Sequence, residues 1–208
     1  MLKLWVATSP DGFSAEYDDI EEMFRRGLSR LILHKRGRTL PGMESPRDAS
    51  AEDYERWLLS LSMEYRERIW VHGTPDTAER LDVRGCVFDA ASFMGEVPEC
   101  WKRVNCIAIC RNPEDVLKLP EWVAGALVGP VFQPNSAIEP MQTVAMDSRF
   151  GKICNETRVP LIFWGGMEPE TLQSVSGFSP SGVAVLGGIW NYADPVNAFI
   201  KMQRACAR

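Results

Sequence analysis

Eight short apolar runs recur along the chain: LKLWVAT from Leu2, RLILH from Arg30, RIWVH from Arg68, RGCVF from Arg84, NCIAI from Asn105, GALVGPVF from Gly125, PLIFW from Pro160 and GVAVL from Gly182. Each is rich in β-branched and aromatic residues and is bounded by Gly, Pro, Asn or Asp, the pattern of strands buried on both faces. Between them the period changes. In EYDDIEEMFRRGL, residues Tyr17, Ile20, Met23, Phe24 and Leu28 fall on one helical face, with Gly27 as C-cap. In SAEDYERWLLSLSMEYRER, Ser50 and Asp53 stand in the capping-box relation, and Tyr54, Trp57, Leu58 and Leu61 share a side, which predicts a second helix. Further helices are expected over 92–102, 112–119, 139–157, 168–175 and 194–205, whereas 75–80 reads as barely a turn.

Strand and helix thus alternate eight times. Continuous apolar strands separated by amphipathic helices call for a parallel sheet covered by helices, and eight such units in 208 residues favour a closed (β/α)8 TIM barrel. An open doubly wound sheet is the alternative if a weak run such as RGCVF is not a strand. No linker, low-complexity segment or charge block divides the chain, so residues 1–208 are expected to form one domain.

Composition narrows the function. With 45% apolar and 25% charged residues the chain has ordinary globular usage, and a net charge of -5 offers no basic footprint for nucleic acid. No apolar stretch approaches the roughly 20 residues that span a bilayer, and the opening MLKLWVATSPDG has too short an apolar run for a signal peptide. A cytoplasmic protein with no membrane or nucleic-acid partner is expected. The six cysteines form no CxxC pair and several sit inside apolar runs, where a thiol behaves as a small hydrophobe. His34 and His72 are the only histidines, which excludes a His-rich metal site.

The seventh and eighth runs both end on glycine pairs, Gly165 with Gly166 and Gly187 with Gly188. Barrel active sites lie at the C-terminal strand ends, and the loops after strands seven and eight commonly bind phosphate. A backbone without β-carbons can reach positive φ and bring N–H groups close to an anion. The competing reading is that the glycines merely terminate strands.

The order of LILHKRG, GALVGPVFQP, IFWGG and GVAVLGGIWNYADP resembles the thiamin phosphate synthase family, including its thiazole tautomerase (TenI) branch. The resemblance spans nearly the whole chain. It implies a (β/α)8 barrel in which hydroxymethylpyrimidine diphosphate ionises and hydroxyethylthiazole phosphate captures the cation, with magnesium as cofactor. It also implies that the backbone at Gly165, Gly166, Leu186, Gly187 and Gly188 anchors the thiazole phosphate.

Several family positions differ here. The strand-two motif, roughly QLREK, becomes Ile32, Leu33, His34, Lys35 and Arg36, which leaves Lys35 and Arg36 as candidate diphosphate ligands. His72 and Gly73 stand where the family has Asn-Asp, and Asp89 or Glu96 is the remaining candidate for the second magnesium carboxylate. The PTPTK loop becomes Gln133 to Ala137, retaining one hydroxyl at Ser136, and strand five carries Arg111 as its one charge. Three activities follow: the synthase reaction with Lys35, Arg36, Arg111 and Ser136 as diphosphate contacts; a degenerate relative that binds a phosphorylated metabolite without that reaction; or an isomerase or lyase using His34 or His72 as general base. All three take small phosphorylated substrates, and a homodimer is compatible with each.

Overall fold

In the computed structural model, which describes residues 1–13, 15–36, 49–93, 97–137 and 139–208, every one of the eight apolar runs forms a strand. They are β1 (Lys3–Ala7), β2 (Leu31–Leu33), β3 (Ile69–His72), β4 (Gly85–Asp89), β5 (Asn105–Cys110), β6 (Gly125–Val128), β7 (Leu161–Trp164) and β8 (Gly182–Val185). All neighbours pair in parallel in chain order, and β8 closes the ring by pairing with β1 from Lys3↔Gly182 to Val6↔Val185. The chain is a (β/α)8 barrel. Closure explains why the strands are apolar throughout: one side of each fills the ring and the other meets the helices.

Alternation along the strands divides the core in two. Trp5, Trp70, Ile107 and Ile162 from the odd strands and Ile32, Val87, Leu127 and Ala184 from the even strands fill the interior. Trp5 and Trp70 meet there with ring centroids 4.6 Å apart. Gly125 makes room for two of its neighbours, since a β-carbon there would lie 3.2 Å from Ile107 Cδ1.

Several helices differ in extent from what the periodicity suggests. The first, α1 (Glu16–Arg25), ends in a Schellman motif: Gly27 at φ +97° donates to the Phe24 carbonyl, and Leu28 N donates to that of Met23. The second, α2 (Ala51–Leu58), has the Ser50–Asp53 capping box but stops where Ser60 and Ser62 weaken it, leaving a 3-10 turn over Met63–Arg68. The stretch expected to be barely a turn is a helix, α3 (Pro75–Leu81), set by the Thr74 cap, Pro75 in its first turn and Asp82 in the left-handed region.

Residues 112–119 form a 3-10 turn, Pro113–Lys118, instead of an α-helix, and the described residues of 92–102 contribute to the 3-10 turns Ala90–Phe93 and Glu99–Arg103. Glu96 lies outside the described residues. The helix expected over 139–157 is α4 (Ser148–Glu156), because Asp147 caps it by accepting from Arg149 and Phe150 N–H groups. Before it, Val144 N is held by the Pro130 carbonyl at 2.8 Å. Two short helices, α5 (Leu172–Val175) and α6 (Gly187–Trp190), precede the last, α7 (Pro195–Cys206). All six cysteines are free thiols, and burial pushes Cys110 up to about 12, in keeping with a packing role. No described helix is long and apolar enough to cross a membrane.

Candidate functional site

The C-terminal strand ends surround a cavity of about 840 Å³. Its two sides are made differently. On the β6 to β8 side the wall is backbone. The ladder of β6 breaks at Gly129–Pro130, yet Val131 N and Phe132 N go on to bond the carbonyls of Trp164 and Gly165 at 2.8 and 3.1 Å. That pairing sets the Gln133 to Ser136 segment beside the first glycine pair.

Gly165 and Gly166 have φ of +94° and +59°. Their neighbours demand glycine as well: a β-carbon on Gly165 would stand 2.4 Å from Pro130 Cβ, and one on Gly166 2.7 Å from Phe132 Cβ. The second pair differs. Neither Gly187 nor Gly188 adopts positive φ; they open α6, and close approach is what excludes a side chain at Gly188. A β-carbon on Gly188 would be 2.5 Å from the Met167 carbonyl oxygen, and one on Gly187 would be 3.3 Å from Ser136 N. The two pairs and the Ser136 segment therefore interlock, and Gly165, Gly166, Leu186, Gly187, Gly188 and Ser136 all line the cavity.

Opposite, on the β2 to β5 side, the wall is made of side chains. His34 directly follows β2 and His72 ends β3, half-buried, with ring centroids 4.4 Å apart and planes tilted by 37°. Their backbones are fixed from outside the barrel. Thr8 Oγ1 accepts from His34 N at 3.0 Å and donates to its carbonyl at 2.7 Å, while the Tyr54 hydroxyl donates to the His72 carbonyl at 3.2 Å and accepts from Lys35 N at 3.4 Å. Arg36, paired with Asp11 at 2.9 Å, and Arg111, lying 5.9 Å over the Trp164 ring, complete the cavity's cations on this side.

Two expected site residues sit elsewhere. Lys35 does not face the cavity: alternation along the β2 strand end sends Ile32, His34 and Arg36 inward and Lys35 outward. Its ammonium is buried against the Glu16 carboxylate and donates to the Ser9 carbonyl at 2.6 Å. Burial pushes its pKa below the usual lysine value while Glu16 pulls it back. Lys35 is thus a strut joining the β1 loop, α1 and β2, and is corrected from diphosphate ligand to structural residue.

Asp89 likewise is spoken for. It accepts from Ala91 N at 3.1 Å and pairs with Arg111 at 3.6 Å, outside the cavity lining. His72 and Gly73 add no carboxylate, and among the described residues no group of three or more His, Cys, Asp or Glu could hold a metal ion. Magnesium needs hard oxygen ligands, so the described residues do not fit the magnesium site that the resemblance implies.

Thr8, Tyr54, Asn135 and Glu168 were not singled out as site residues by the sequence. The first two act through hydrogen bonds to strand-end backbone, for which no motif exists. Glu168 lies two positions after a glycine pair whose neighbourhood was the signal to follow.

No family model matches the chain, and no curated protein matches it. Among solved structures, the thiamine phosphate pyrophosphorylase of Bacteroides thetaiotaomicron is 19% identical with a TM-score of 0.69, covering 100% of this chain and 98% of its own. That of Pyrococcus furiosus is 18% identical with a TM-score of 0.73, covering 99% and 96%. A phosphoribosyl anthranilate isomerase bound to reduced 1-(o-carboxyphenylamino)-1-deoxyribulose 5-phosphate is 16% identical with a TM-score of 0.61, each chain covered completely. The likeness to thiamine phosphate pyrophosphorylases read from the strand motifs is therefore present in three dimensions along the full chain. At these identities it establishes the barrel.

Proposed function

We propose that this protein is a thiamin phosphate synthase-like barrel that binds a small phosphorylated metabolite, holding the phosphate at the β7 and β8 strand ends. The observation that carries this reading is the shared wall of Gly165, Gly166, Gly187 and Gly188, all lining one cavity with Ser136. Peptide N–H groups at tight glycine turns and at the start of a helix are donors for phosphate oxygens. The similar structures include proteins named for phosphorylated compounds, which supports a phosphorylated ligand. Thiazole phosphate, or a metabolite of like size, is the ligand this favours.

The full synthase reaction is the second reading, and one observation favours it: Arg36 and Arg111 face the cavity from the other side, where two guanidinium groups could receive a diphosphate. Against it stand the outward Lys35 and the paired Asp89. Calorimetric titration with hydroxyethylthiazole phosphate and hydroxymethylpyrimidine diphosphate, each with and without magnesium, separates the two. Monophosphate binding without formation of thiamin phosphate from the mixture supports the binding role. Turnover to thiamin phosphate that requires magnesium would establish the synthase, and failure of the monophosphate to bind would remove both.

A further inference from the structure

The phosphate wall carries an acid. Glu168, half-buried and lining the cavity, lies against the second glycine pair: its Cγ is 3.5 Å from the position a β-carbon on Gly188 would take. Its carboxylate is aimed by neutral partners, accepting from Asn135 Nδ2 on the β6 loop and from the Tyr192 hydroxyl at 3.5 Å. Asn135 is itself tied back, since its carbonyl accepts from Asn191 Nδ2 at 3.3 Å. Its main chain is fixed too, because Glu168 N donates to Thr171 Oγ1 at 3.0 Å. The field of this carboxylate is felt nearby, as it is the first cause of the raised Tyr192 pKa. A negative charge held beside an anion site discriminates among anions, because repulsion grows with ligand charge while a hydroxyl or N–H on the ligand can donate to the same oxygens.

We infer that Glu168 is the selectivity residue of this wall, admitting phosphomonoesters and rejecting diphosphates. This rests on the phosphate reading above and adds the substrate class: monophosphates as against diphosphates. Asn135 is the positioning residue that holds the carboxylate toward the cavity.

The test compares Glu168→Gln with the wild type, using glycerol 3-phosphate and inorganic diphosphate as probes in magnesium-free buffer at low ionic strength, with affinities from calorimetry. Gln retains the size and the acceptor for Asn135, so the fold is preserved, and a circular dichroism melt checks it. Wild type should bind glycerol 3-phosphate more tightly than diphosphate. In Glu168→Gln, diphosphate affinity should rise about tenfold while glycerol 3-phosphate changes less than about threefold, lost donation offsetting lost repulsion. Equal changes for the two probes, or none for either, would overturn the inference while leaving the phosphate wall standing. Absence of glycerol 3-phosphate binding in both proteins would overturn this inference, whereas the phosphate reading itself falls only if hydroxyethylthiazole phosphate also fails to bind.

Discussion

The two sides of the barrel mouth are built from different materials. The β6 to β8 side is made of backbone, in which Gly165, Gly166, Gly187 and Gly188 interlock with the Pro130 to Ser136 segment, and a side chain at Gly165, Gly166 or Gly188 would strike an atom within 2.7 Å. The β2 to β5 side is made of side chains, His34, His72, Arg36 and Arg111, set on strand ends whose backbones are held from behind by Thr8 and Tyr54. A wall of backbone constrains its sequence tightly and keeps its shape. A wall of side chains can be rewritten at each position without disturbing the barrel, and here it departs from the thiamin phosphate synthase pattern at nearly every one.

The sharpest contrast on the second side is between adjacent residues, one pointing away from the cavity and one into it. Lys35→Ala should lose about 3–5 kcal/mol of stability, because it leaves the Glu16 carboxylate buried and unpaired. Arg36→Ala, whose ion pair with Asp11 is exposed, should stay within about 0.5 kcal/mol. Urea unfolding of both variants measures the difference. Equal losses would mean that the two lysine and arginine roles are not divided as described.

On the backbone side, Gly165→Ala or Gly166→Ala should cost about 1–3 kcal/mol through the positive φ alone, with steric overlap adding to it. Gly177→Ala, which meets no atom within 4 Å, should be neutral or stabilising by up to about 1 kcal/mol. Thermal melts that rank Gly177→Ala with the others would contradict the interlocked wall. A further consequence concerns Gly188→Val. A valine there collides with the Met167 carbonyl and with Val185, so lower ligand affinity in that variant reports a displaced loop as much as a blocked anion.

A smaller effect is expected at the support of the histidine pair. Tyr54→Phe removes one hydroxyl that bridges Lys35 N and the His72 carbonyl, for a loss of about 1 kcal/mol. The chain has two histidines, so their imidazole proton signals are readily assigned. Both should move in Tyr54→Phe, whereas unmoved signals would show that the hydroxyl does not position them.

The barrel was legible because closure buries both faces of each strand, so LILH, IWVH or GVAV stands out as an unbroken apolar run. The connections were less so, because caps outweigh periodicity in short segments. Asp147 starts α4 well inside the expected helix, and Thr74 with Pro75 makes a helix of a segment read as a turn. The position of the glycine pairs at the β7 and β8 ends could be read, but the reason for the second pair could not, since its close contact with Met167 joins strands that only the fold brings together. The outward direction of Lys35 was available from the two-residue alternation that points Ile32 and His34 inward. Glu16, its partner, looked like any acidic residue in a first helical turn.

The central claim is that phosphate is held by the backbone of the β7 and β8 loops, and a titration followed by amide proton and nitrogen resonances tests it directly. Hydroxyethylthiazole phosphate should shift the amides of Gly166, Gly187 and Gly188 in a saturable way, with the largest changes at this wall. Saturable shifts confined to His34, Arg36, His72 and Arg111, with the glycine amides unmoved, would contradict it.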